Sequence, residues 1–366
     1  MTAPSFSPTP TPSPAPTTAA ARFLAACRHE PVDATPVWFM RQAGRCLAEY
    51  RALREQYPIL TLAKTPELCA QVTVMPVRDL GVDGAVMFAD IMLPLEGMGV
   101  SLEIQPDVGP IIHQPIRTLA DVERLRPLDP AESVPFVLDA IKIVRQELAD
   151  GRAACIGFGG APFTLACYLI EGRPSRDYAR AKTLMFREPL VWAELMDRLT
   201  DATIRYLRAQ VEAGAQVVQL FDSWVGALAP ADFERAVLPW ARRIFTALRD
   251  TGVPTIYFGT GNAALLEQMA QAGSTMMSLD WRVRLDDGWK RIGYDRGVQG
   301  NLDPVRALAG WEPALAGTRE VLAGAGGRPG HVFNLGHGVL PDTDPTVLAR
   351  LVDAVHEATA RAGATC

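Results

Sequence analysis

Cysteine is scarce and scattered. Cys27, Cys46, Cys69, Cys155, Cys167 and Cys366 form no C-x-x-C pair and no His/Cys cluster of zinc spacing. That argues against a disulfide scaffold or a zinc module, and reduced thiols in a cytoplasmic protein are the simplest reading. Basic excess is also missing. The net charge of -5 leaves no surface to replace the counterions of a nucleic acid, so an anionic ligand must meet locally placed arginines. No charge-free run of about 18 apolar residues occurs, and a transmembrane helix is not expected. Equally absent are a Gly-rich dinucleotide loop after the first apolar run and a G-x-S-x-G nucleophile elbow.

What remains is an ordinary globular composition, 48% hydrophobic and 21% charged over 366 residues, enough for a large core. Residues 1–18 are rich in Pro, Ser and Thr with no basic n-region, and read as a disordered tail before a domain spanning 19–366. Within that domain short apolar or β-branched runs alternate with longer segments of helical period. Eight candidate strands follow: Val37 to Met40, Ala85 to Ala89, Ala154 to Phe158, Gln216 to Phe221, Pro254 to Phe258, Thr275 to Leu279, Gly297 to Gly300 and His331 to Asn334. Segments such as Pro189 to Ala213 and Pro230 to Asp250 read as crossover helices. The pattern predicts a single-domain α/β fold, the (β/α)8 or TIM barrel, with insertions around Gly97 to Asp129.

Barrel chemistry sits at the C-terminal ends of the strands, so the residue after each run is the candidate. Arg41 and Arg45 follow the first run with Gly44 between them, and two guanidinium groups directed to one point suit carboxylates. Pairing of either with Glu49 is the plainer alternative. Asp90 follows an apolar run at the mouth, where a carboxylate is costly without a task or partner; capping a helix near Ile91 is compatible with a catalytic role. His337 is the one histidine of five that falls just past a strand, flanked by Gly336 and Gly338. The turn Gly159 to Pro162 starts a helix whose free amides could hold an anion, and Tyr168 lies further along that helix, where core packing is the default. No lysine stands at a strand end to form a Schiff base, and no metal cluster is visible. The residues alone describe an anion-accepting mouth for acid-base or electrostatic chemistry and leave the reaction open.

Six runs, in consistent order from about residue 20 to 360, resemble the uroporphyrinogen decarboxylases: PVWFMRQAGR from Pro36 to Arg45, MFAD ending at Asp90, GFGGAPFT from Gly157 through Tyr168 to Gly172, LFDS ending at Ser223, QGNLDP from Gln299, and NLGHG ending at Gly338. The resemblance implies a (β/α)8 barrel and a cytoplasmic homodimer. Its activity would be a carboxy-lyase step in heme biosynthesis, converting the four acetates of uroporphyrinogen III to methyl groups and giving coproporphyrinogen III. It also implies no metal and no organic cofactor. Carried over by position, Arg41 and Arg45 would bind substrate carboxylates, with Arg41 a candidate proton donor, and Gln42, Ala43 and Gly44 between them would belong to the same substrate-binding run. Asp90 would accept hydrogen bonds from the pyrrole N–H groups; Tyr168, Ser223 and His337 would contact the side chains, and Phe158 and Phe221 the rings.

Two positions depart from the motif. Cys46 stands where the family carries an aromatic residue and Ala48 where it carries proline, so the loop is looser there or a neighbour fills the space. A zinc-dependent corrinoid-linked methyltransferase on the same barrel would need a thiolate near the last strands, and none of the six cysteines is placed there. A non-catalytic tetrapyrrole carrier would keep the arginines and need not keep Asp90.

Overall fold

The computed structural model describes residues 18–44, 46–105 and 109–361. Most of the expected 1–18 tail and Cys366 therefore lie outside the described residues. Thr18 itself caps the helix Ala19–Cys27, its hydroxyl accepting from Ala21 N–H at 3.2 Å.

Nine strands form: β1 (Gly84–Val86), β2 (Leu102–Gln105), β3 (Gly109–Ile112), β4 (Ala154–Gly160), β5 (Val217–Asp222), β6 (Thr255–Gly259), β7 (Met276–Ser278), β8 (Gly297–Gln299) and β9 (His331–Val332). β1 and β4 to β9 pair in parallel in chain order, as right-handed strand-helix-strand units require. These match the second to eighth expected strands.

The first expected strand, Val37 to Met40, occupies the gap between β9 and β1 without becoming a regular strand. Val37 bridges Phe333 in parallel, Phe333 N–H donates to Pro36 O at 2.9 Å, and Asp83 N–H donates to Val37 O at 2.8 Å. Trp38 N–H donates to Phe333 O at 3.3 Å, and the other three amides are taken by side chains. Val37 N–H donates to the Asp83 carboxylate (2.7 Å), Phe39 N–H to Gln42 Oε1 (2.9 Å) and Met40 N–H to Asn334 Oδ1 (3.0 Å). Every buried donor must find an acceptor, and here neighbouring side chains replace the backbone ladder. The barrel is closed by this irregular stave.

Its interior is packed rather than open. Trp38 Nε1 donates to Gln299 Oε1 at 2.9 Å, and Gln299 Nε2 donates to Gln219 Oε1 and Ser278 Oγ; all four residues are fully buried. The helix Pro189–Ala213 forms as its periodicity requires, burying Trp192, Leu195, Leu199 and Tyr206. Pro230 to Asp250 is not one helix. It divides into Pro230–Ala236 and Leu238–Leu248, because Pro239 has no N–H to bond the carbonyl four residues back and its ring crowds that carbonyl.

The insertion around Gly97 to Asp129 contains the antiparallel hairpin β2–β3, which lies outside the barrel sheet. It docks on the helix Pro162–Glu171: Ile112 N–H donates to Gly172 O and Ile116 N–H to Leu169 O, both at 2.9 Å. No helix among the described residues is long and apolar enough to cross a membrane.

Candidate active site

The irregular first stave runs directly into the arginine turn. Arg41 adopts a left-handed φ of 60°, which side chains other than glycine seldom do, and it is solvent-exposed. Gly44 is required beneath it: a Cβ there would stand 2.7 Å from Arg41 O. Gln42 points inward, fully buried, its Nε2 donating to Gly84 O at 2.8 Å while its Oε1 serves Phe39. Ala43 is buried and Gly44 half-buried. Arg45 lies outside the described residues.

Asp90 is half-buried beyond β1. Its Oδ1 accepts from Met92 N–H at 2.8 Å in a local turn, not as a helix cap: the next helix, Leu93–Gly97, has Met92 at its N-cap and no side-chain cap bond, and Oδ2 has no hydrogen-bond partner among the described residues. Burial pushes its pKa above the usual carboxylate range, against the Met92 hydrogen bond and the Arg41 charge. Tyr168 is half-buried, its phenol pushed up to about 12 by burial and by Asp90, with Arg41 opposing. For His337 burial comes first and Arg41 second, pushing the imidazole down to about 4, so that it is neutral at pH 7. The Arg41 charge therefore acts on Asp90, Tyr168 and His337 together. Side chains far apart in sequence meet at one mouth.

Aromatic rings line it. Phe158 and Phe221 meet edge to face at 5.3 Å, Phe221 and Phe258 at 5.5 Å, and His337 and Trp281 at 6.1 Å, while Phe258 and His337 are tilted at 6.1 Å. Tyr168 packs on Trp224 at 5.8 Å, and Ser223 is half-buried at the end of β5. Phe258 and Trp281 were not singled out from sequence, although Phe258 ends the fifth apolar run and sits in register with Phe221.

Asp222 was also passed over. It is fully buried, accepting from Thr164 Oγ1 at 2.8 Å and Tyr257 OH at 2.9 Å, and burial pushes it up to about 6 against those bonds. The backbone N–H of Thr164 serves the same carboxylate. The expected anion seat at this helix start is thus engaged by the chain's own Asp222.

Beside the arginine turn opens a cavity of about 910 Å³ lined by Cys46, Ala48, Arg51, Arg54 and Thr343 among others. Both departures from the motif line it, and neither fills it. The Thr343 hydroxyl is buried without a partner among the described residues. Nor do the described residues contain a group of three or more His, Cys, Asp or Glu placed to hold a metal ion.

The family profile described as uroporphyrinogen decarboxylase (URO-D) matches residues 18–358. The chain belongs to the uroporphyrinogen decarboxylase family. It is 52% identical over 335 residues to the uroporphyrinogen decarboxylase of Carboxydothermus hydrogenoformans, covering 92% of this chain and 95% of that one. With that of Streptomyces coelicolor it shares 54% over 344 residues, covering 94% and 96%. Among solved structures, a methyltransferase from Methanosarcina mazei aligns with a TM-score of 0.75 at 23% identity, over 93% of this chain and 98% of that one. A B12-independent methionine synthase from Shewanella sp. aligns at 0.53 and 11%, over 80% and 88%. At these identities the likeness is one of fold. The decarboxylase family thus shares its barrel with methyltransferases, and the methyltransferase reading gains nothing from it.

Proposed function

We propose that the chain decarboxylates the four acetate side chains of uroporphyrinogen III, giving coproporphyrinogen III. The observation that carries this reading is the convergence of Arg41, Asp90, Tyr168 and His337 on one aromatic-walled barrel mouth, in a chain about half identical to named uroporphyrinogen decarboxylases.

Each group has a task the substrate demands. Loss of carbon dioxide from a pyrrole acetate leaves an unstabilised carbanion unless the ring is first protonated at carbon. Protonation makes the ring a cation that accepts the electron pair of the breaking C–C bond. The product of that step is a neutral exocyclic methylene, which takes a proton to become the methyl group; loss of the ring-carbon proton then restores the pyrrole. One proton is consumed per acetate, and the substrate serves as its own electron sink, so this route asks for neither metal nor organic cofactor.

Asp90 Oδ2 accepts hydrogen bonds from the pyrrole N–H groups and stabilises the ring cation, an attraction that low-dielectric aromatic walls strengthen. Arg41 holds a carboxylate and is the candidate route for protons. Neutral His337 offers one N–H and one acceptor to a side chain without adding repulsive charge near the ring cation. Phe158 and Phe221 face the pyrroles, and Tyr168, Ser223 and Arg45 contact the side chains. We place the enzyme in the cytoplasm as a homodimer.

Anaerobic incubation of metal-free protein with uroporphyrinogen III, followed by chromatography of the oxidised products, tests the reading. Ordered appearance of hepta- through tetracarboxylates is expected. Well-folded protein that binds the macrocycle and yields no product would overturn catalysis in favour of a carrier.

A further inference from the structure

A second arginine stands beside His337. Asp280, just beyond β7, has no exposed surface, and its carboxylate is held from several directions: Oδ2 accepts from Gly261 N–H at 2.8 Å and from Arg282 Nη1 at 2.5 Å, and Oδ1 from Arg282 N–H at 2.9 Å. The guanidinium carbon of Arg282 lies 3.7 Å over the ring of Trp281. One N–H bound to a buried carboxylate and one face stacked on an indole remove most of the rotamer freedom that an arginine normally loses on binding a ligand. Yet half of the side chain remains in solvent. Its other N–H donors have no partner among the described residues.

The location is as specific as the orientation. Trp281 meets the His337 ring edge to face at 6.1 Å, and Gly336 lies so close to the Trp281 backbone that no Cβ fits between them. The Arg282 charge acts on His337 together with that of Arg41. A residue serving only to neutralise Asp280 would have no need to keep its free donors in solvent next to the site histidine.

We propose that Arg282 is a further substrate-binding arginine of this mouth, pre-oriented by Asp280 and Trp281 to hold one carboxylate of the macrocycle on the His337 side. The inference rests on the reading of the mouth as the seat of uroporphyrinogen. Arg282→Gln should raise KM for uroporphyrinogen on the order of tenfold or more, with kcat within about threefold, because a lost charge-assisted contact to a non-reacting carboxylate is uniform binding. Arg282→Lys should recover only part of the loss, since a point charge does not reproduce the planar fork.

The single variant leaves the buried Asp280 charge with backbone N–H donors but no counter-ion and can unfold, so the double variant Asp280→Asn/Arg282→Gln removes both charges together. Its Tm is expected to return toward wild type while KM stays raised; a KM that recovers with Tm would overturn the proposal. Anaerobic dissociation constants for uroporphyrinogen on the same proteins keep the test independent of turnover. If wild type binds the macrocycle and releases no product, weaker binding by the double variant still supports Arg282 while catalysis fails separately. Unchanged binding and unchanged KM in a folded variant would sink the Arg282 assignment alone.

Discussion

Arg41 lays its methylene stem across Gly338: a Cβ built on that glycine would stand 2.5 Å from Arg41 Cδ, 2.8 Å from Cγ and 3.2 Å from Cβ. The last stave therefore shapes the seat of the arginine supplied by the first. Met40 O accepts from Val339 N–H at 2.8 Å, fixing the two segments side by side. Gly338→Ala is expected to displace the guanidinium and lower kcat/KM at least about tenfold, since small misplacements at a reacting centre are costly. Thermal unfolding should move little, because the strain is relieved by swinging an exposed side chain. Wild-type kinetics in that variant would remove Arg41 from the mechanism as placed.

Gln42 carries a different kind of prediction. Its amide joins the irregular stave to β1 through Phe39 N–H and Gly84 O, and no solvent reaches it. Gln42→Leu orphans two buried backbone groups at roughly 1–3 kcal/mol each, so a loss of about 2–6 kcal/mol is expected in denaturant unfolding. A loss under about 1 kcal/mol would mean that the barrel closes without it.

The acid limb of stability should report His331. The residue is buried, its Nε2–H donates to Gly300 O at 2.9 Å, and burial pushes its pKa down to about 4. Because the folded pKa lies below the unfolded value of about 6.5, the unfolded chain takes up the proton first. The stability this group contributes is complete above pH 6.5 and declines as pH falls toward 4, by up to about 3 kcal/mol. Asp222, pushed up to about 6, acts with the opposite sign over an overlapping window, so the wild-type curve alone is ambiguous. The difference between wild type and His331→Gln isolates the histidine: the variant should show the shallower loss between pH 6.5 and 4, and parallel curves would contradict the account.

The order of the barrel strands was readable because the buried parallel strands are short apolar runs closed by a polar residue or glycine, as at Ala85 to Ala89 before Asp90 and Pro254 to Phe258 before Gly259. Arg41, Asp90 and His337 were readable for the same reason: each follows its run. What escaped depended on partners remote in sequence. Nothing local says that Phe39 and Met40 will donate to Gln42 and Asn334 rather than to a neighbouring strand. Asp222 also followed its run, yet only the fold turns it inward to Thr164 and Tyr257 while Ser223 stays half-exposed. The β2–β3 hairpin was hidden because its strands are short and only partly buried, with no clean alternation to mark them.

The central claim is that a half-buried carboxylate, and not merely an anion-binding mouth, drives the chemistry. Asp90→Asn tests it, because the amide keeps an oxygen for Met92 N–H and removes the charge. The measurement is single-turnover decarboxylation of uroporphyrinogen III beside the dissociation constant of the same variant. The account predicts binding within about tenfold of wild type and a decarboxylation rate lower by on the order of a hundredfold or more. A rate undiminished at full occupancy would contradict it.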